Sequence, residues 1–228
     1  MKKPTVKSLQ LRKEKLETRL RRFGLDNTIK EPVFFDETKY SYVHPRQAAE
    51  RLLILLAVSL TAYNFDESEK VMDWLKREEL WKSVSAKEKE FLRNPDPEDD
   101  EKQNLSWRFE GAYMLAWTLK KVSSSPEPGS ECKEEQVNEF LKTVPTVGSF
   151  TEKFFLRLSF RPLFEILDEN LFYETATVYF RNLVAQDKEN TSQVHAKASF
   201  ERNLVLNWLR QSGDKSDWDA ISSSTVDL

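Results

Sequence analysis

The stretch LSWRFEGAYMLAWTL, from Leu105 to Leu119, is apolar almost all the way round a helix, yet it carries Arg108 and Glu110. At roughly 3.6 residues per turn, Arg108 shares a face with Ala112, Leu115 and Leu119. Glu110 lies nearly opposite, beside Met114 and Trp117. A helix that is apolar on both sides must pack against several neighbours at once. The chain is therefore expected to be built around this helix. Its two charges then need partners, because an isolated buried charge is too costly to persist.

The rest of the chain agrees with a helical reading. Five glycines and nine prolines in 228 residues leave few tight turns for a many-stranded sheet. The spacing of Val6, Leu9, Leu16, Leu20 and Phe23 predicts a first helix over 6–23, stopped by Gly24. Residues 25–44 read as an extended arm. Pro45 opens the next helix, to about Tyr63, and another covers 67–77. Ser85 followed by Glu88 is a capping box for a short helix. An acidic loop over 94–103 precedes the central helix, which is expected to run to Val122. SSSPEPGSE, Ser123 to Glu131, reads as a linker. A helix follows near 132–142. Residues 143–160 fit strand or helix, 162–186 read as helix with a break near 168–170, and 191–210 form the last long helix. The fold class is all-α: a single irregular multi-helix domain, with an N-terminal basic helix and arm over 1–44 and a helical domain over 45–228.

Charges recur on other apolar stripes. Arg51 lines up with Leu55, Val58 and Ala62. Glu165 lines up with Phe172, Ala176, Tyr179 and Leu183. Arg202 lines up with Leu206 and Leu209, and Glu201 sits beside Val205 and Trp208. Arg161 and Asp168 stand close in sequence. The bland reading is an internal ion-pair network. The sharper one is a ligand pocket lined by Arg108, Glu110, Glu165, Glu201 and Arg202. On the wheel, Arg108 is expected to meet an acid at 165, 168 or 201, and Glu110 an arginine at 51, 161 or 202.

No catalytic residue is assigned. The chain has no glycine-rich phosphate loop, nucleophile elbow or HExxH pattern. A Ser–His–acid triad would have to use His44 or His195. Cys132 is the only cysteine, so neither an intrachain disulfide nor a cysteine-based zinc site is available. No metal and no cofactor are expected.

The formal charge of −3 hides an asymmetry. Residues 1–22 carry a net +7, leaving −10 for the remainder, densest in PDPEDDE, Pro95 to Glu101. The basic first helix lacks interleaved aromatics, which argues against nucleic acid. The longest apolar run, LLILLAVSL, falls well short of the roughly 20 residues of a membrane span. The basic start has no apolar segment typical of a signal peptide, and a cytoplasmic location is expected.

Three fragments in order, LWKSVSAKEKEFL with SWRFEGAYMLAWTL, then RPLFEILDENLFYE, then FERNLVLNWL with WDAISSSTVDL, resemble the bacterial family called domain of unknown function 4272. The similarity spans about residues 45–228. The family-like positions are Trp107, Arg108 and Glu110; Arg161, Glu165, Leu167 and Asp168; Glu201, Arg202, Asn207 and Trp208; and Trp218 and Asp219. The chain departs from the pattern at Asn170, Glu174 and Asn203. The resemblance implies a helical protein and supplies no activity. The function expected is that of a non-catalytic protein-interaction module, immunity or antitoxin-like, with a protein partner. The alternative is an enzyme or small-ligand binder using the Arg/Glu cluster.

Overall fold

A computed structural model describes residues 4–25, 32–210 and 218–223. Among these residues the regular structure is helical, with no strand. The first helix, α1 (Val6–Arg22), starts on the Thr5 side chain, which accepts the Ser8 amide. It ends at Gly24, whose φ of +77° suits glycine. Helix α2 (Pro45–Tyr63) has proline at its first position and His44 and Gln47 closing its N-terminus. Helix α3 (Ser68–Arg77) follows, and α4 (Ala86–Arg93) opens on the Ser85–Glu88 capping box.

The next stretch differs from the sequence reading. Instead of a loop over 94–103 and one long helix, there are two helices, α5 (Asp99–Ser106) and α6 (Arg108–Thr118). Asp99, Asp100 and Glu101 fill the first turn of α5, where carboxylates favour the positive end of the helix dipole. The break at Trp107 also has a cause. The Ser59 hydroxyl donates to the Ser106 carbonyl at 2.8 Å, and the Glu110 amide bonds back only as far as Trp107. Lys120, at φ +60°, ends the helix earlier than expected.

Helix α7 (Glu134–Thr143) is followed by a segment without strands, holding only a 3-10 turn at Glu152–Phe155. That segment is pinned from α3: the Trp74 indole donates to the Ser149 carbonyl, and the Glu78 carboxylate accepts from Thr151. Helix α8 (Leu163–Ala185) runs unbroken through 168–170, because Asp168 and Glu169 point outward to Arg12 and Arg19 of α1. Helix α9 (Ala196–Arg210) and the short α10 (Trp218–Ser223) complete the described chain; Gly213, the residue expected from sequence to end the last long helix, lies outside the described residues.

The central layer is α2, α6, α9 and α8, each packed on the next, with α5 against α2. Thus α6 sits between α2 and α9, and its residues from Glu110 to Thr118 are all buried. Helix α1 and a 3-10 turn at Pro32–Phe35 cover one side of α8. Phe35 and Val43 anchor the arm by burial.

Helices α2 and α9 approach the backbone of α6 closely at Gly111. A β-carbon there would lie 2.9 Å from Val205 Cγ1, 3.4 Å from the Glu201 carbonyl and 3.6 Å from Leu55 Cδ1. Glycine in a helix interior costs about 1 kcal/mol relative to alanine, so its presence here reflects space. Gly111→Ala is expected to lose about 1–3 kcal/mol through overpacking against the stiff Val205 side chain, despite the better helix former. Urea denaturation of the two proteins checks this.

Candidate functional site

Helices α6 and α9 bring together four of the five charged residues singled out from sequence, in two ion pairs. On one side of α6, Arg108 Nη1 donates to both oxygens of Glu201 at 3.0 and 2.9 Å. On the other, Arg202 Nη2 and Nε donate to Glu110 Oε2 at 2.6 and 3.1 Å. Each partner falls within the set that helical geometry allowed. The two charges of SWRFE serve separate pairs.

Arg202 is fully buried, at 0% exposure. A guanidinium has five N–H donors, and all five are used. Besides Glu110, Nη1 donates to the Glu127 carbonyl and the Tyr173 hydroxyl, and Nη2 to the Ser130 carbonyl. Burial works against the Arg202 charge, but Tyr173, Glu110 and Cys132 beside it prevail and raise its pKa further. Burial likewise pushes the Tyr173 hydroxyl up to about 12.

Glu110 is equally enclosed. Its Oε1 accepts the Cys132 amide at 2.8 Å, and its Oε2 accepts the Cys132 thiol at 3.3 Å. Burial, then the Glu110 charge, pushes the thiol pKa well above its ordinary value, so Cys132 is held as a protonated donor. For Glu201, burial raises the carboxyl against the opposing pull of Arg108.

Glu165 is not part of this seam. It sits in the first turn of α8 with 38% of its side chain exposed, 3.5 Å from Arg161. The first turn of a helix on the protein surface leaves it in water, so apolar residues further along its stripe were misleading. Asp168, also in the pool, pairs with Arg12. Arg161 spends its other N–H groups on the carbonyls of Trp117, Val122 and Ser123.

A third buried pair was half visible in the sequence. Arg51 Nη1 donates to both Glu88 oxygens at 2.9 and 2.8 Å, and Nη2 to the Ser83 carbonyl. Glu88 had been legible only as a capping residue; the same carboxylate also accepts the Ser85 amide. Arg51 and Arg108 both stack on the Trp218 ring, 4.7 and 5.6 Å from its centre.

The Ser123–Glu131 segment is no free linker: its carbonyls at Glu127 and Ser130 hold Arg202, and that at Pro126 holds Tyr173. Both histidines serve helix starts. His44 Nδ1 accepts the Arg46 amide, and His195 Nδ1 the Ala198 amide. Among the described residues no group of three or more His, Cys, Asp or Glu is placed to hold a metal ion, and no helix is long and apolar enough to cross a membrane.

The chain matches the family described as Domain of unknown function (DUF4272) over residues 12–221, and it belongs to that family. The match begins within α1, well before the region of about 45–228 in which the resemblance is readable from the sequence. No curated protein and no solved structure matches the chain.

Breaking the inner pair strands a buried charge. Arg202→Met is expected to lose about 3–5 kcal/mol, and Arg202→Met with Glu110→Met to recover a large part of it. Chemical denaturation of both single variants and the double variant measures this coupling. With its pKa raised, Cys132 should label with a thiol reagent far more slowly in the folded protein than in urea. Below the raised pKa, its rate should not climb between pH 7 and 9 as that of a free thiol does.

Proposed function

We propose that this protein acts by binding another protein and not by catalysis. One observation carries the reading: the charged groups concentrated on the central helices are paired with each other, and the innermost pair, Arg202 and Glu110, is saturated by its neighbours and by backbone. Arg202 has no donor left for a substrate, and Glu110 is wrapped by Arg202 and Cys132. A catalytic or ligand-binding use of this seam would have to break a buried pair first, at a cost of several kcal/mol. The alternative reading, an enzyme using the Arg/Glu cluster, is left with Arg108, whose Nη1 is held by Glu201 and whose Nε is buried without a hydrogen-bond partner.

The partner we infer carries a basic surface. Asp96, Glu98, Asp99, Asp100 and Glu101 are exposed together at the start of α5. Among the described residues, Asp99 alone of these has a basic partner, Lys102 at 2.6 Å. Partial burial, then the charges of Glu90 and Glu98, raises the Glu101 carboxyl above its usual value. A cationic surface docking here would relieve that repulsion. Complementary charge of this kind speeds association and selects partners. An immunity or antitoxin-like role is the concrete form of this proposal.

The test compares affinity capture from the source cell by the native protein and by a variant carrying Glu98→Gln, Asp100→Asn and Glu101→Gln, at low and moderate salt. A basic protein retained by the native chain, lost with the variant and weakened by salt is the expected result. No captured protein, or one retained equally by the folded variant, overturns the proposal.

A further inference from the structure

We propose that the groove along α4, beside Trp81, is a binding site for a small phosphate ester. Three cations gather round the Trp81 indole, which sits in a 3-10 turn at Trp81–Ser83. Lys76 Nζ lies 5.8 Å from the ring centre, Lys89 Nζ 5.7 Å and the Arg93 guanidinium 5.2 Å. The electron-rich face of an indole attracts each cation, but three like charges round one ring repel one another. An anion between them relieves that repulsion.

The charge is available to a ligand. Lys76 faces Asp73 at 3.3 Å, but among the described residues neither Lys89 nor Arg93 makes an ion pair. Two acids of the same stretch are held elsewhere: Glu88 is buried on Arg51, and Glu78 accepts from Arg77 and Thr151. Arg93 is exposed, and Lys89 and Trp81 are half-buried, so the cations are within reach of solvent.

The ligand class follows from the lining. Lys89 and Arg93 stand four residues apart on one face of α4, and both line an open groove of about 560 Å³ with Ala86, Glu90 and Asn94. That volume falls within the range for small-ligand sites, roughly 300–1,000 Å³, and exceeds the needs of a bare ion. A phosphate dianion meets both unpaired cations: the Arg93 fork matches two of its oxygens, and the Lys89 ammonium acts as a point charge. A carboxylate, with one charge, leaves one of the two without a partner. Glu90 is exposed on the same groove. Its carboxylate accepts from hydroxyls and repels a second anionic group, which favours an ester whose remainder is neutral and hydroxylated. The site uses none of the acidic residues of α5, so it stands apart from the proposed docking face.

Glycerol 3-phosphate, inorganic phosphate and acetate are titrated at constant ionic strength into the folded, isotope-labelled protein. The Trp81 indole N–H signal, assigned with Trp81→Phe, is followed. Glycerol 3-phosphate is expected to shift it saturably and inorganic phosphate to bind more weakly. Acetate is expected to bind about tenfold weaker than the ester or worse, the ratio that one hydrogen bond to a charged donor supplies. Lys89→Gln with Arg93→Gln should abolish the response. Lys7→Gln with Lys15→Gln, which removes the same charge from the exposed side of α1, should leave it intact. Should the first pair fail to fold, Arg93→Lys, which keeps the charge and removes the fork, should weaken binding several-fold. No saturable shift with glycerol 3-phosphate, equal binding of inorganic phosphate or acetate, full binding by the folded Lys89→Gln, Arg93→Gln protein, or an equal loss in the α1 variant each overturns the assignment.

Discussion

The fold depends on a guanidinium with nowhere else to go. Arg202 is sealed among α6, α8, α9 and the 123–131 segment, and each of its five donors meets an oxygen. Burying such a group costs more than a single salt bridge returns. What makes it tolerable is that the rest of the shell is complete: one carboxylate, one phenol and two carbonyls. Each of those groups is in turn fixed by the arginine. A proline- and serine-rich stretch that would otherwise wander is drawn onto the core, and Tyr173 is held where α8 meets α9.

The same demand shapes α6. A helix buried on all sides needs neighbours at close range, and Gly111 allows α9 and α2 to come within contact of its backbone. That approach places Glu110 and Arg108 within reach of consecutive residues of α9, Arg202 and Glu201. Consecutive helical positions point about 100° apart, which is why the two pairs stay separate and flank α6. A register slip of one residue in α9 would leave one of the four charges facing apolar side chains. The two pairs therefore act as a register lock, while the hydrophobic contact supplies the bulk of the adhesion.

This seam was legible in the sequence to the extent that helical periodicity governs it. An arginine or a glutamate in an apolar stripe reports burial, and burial demands a partner, so the short lists for Arg108 and Glu110 contained the right residues. Glu165 shows where the inference stops. Periodicity places a residue on a face but says nothing about how far along that face the neighbouring helix reaches, and the first turn of α8 lies at its edge. Glu88 shows a different gap. Its capping role explained it fully at the level of local sequence, so nothing called for the tertiary pair with Arg51. Carbonyl acceptors carry no side-chain signature at all, and so the role of Glu127 and Ser130 in holding Arg202 could not be read from composition.

The charge asymmetry of the chain also changes meaning once folded. Two of the arginines that make the N-terminus basic, Arg12 and Arg19, face inward and hold α1 to α8 through Asp168 and Glu169, with Glu37 also on Arg12. Lys13 is paired with Glu17 along the same helix. These charges are adhesive between elements, so they weaken the case for a nucleic-acid surface that the raw count suggests. The acids at the start of α5 behave oppositely. They crowd one another, and partial burial of Glu101 beside Glu90 and Glu98 raises its pKa. The α5 dipole and the Lys102 pair with Asp99 offset part of that crowding from within the chain. The seam is thus balanced internally, while the start of α5 keeps an unbalanced negative charge at the surface.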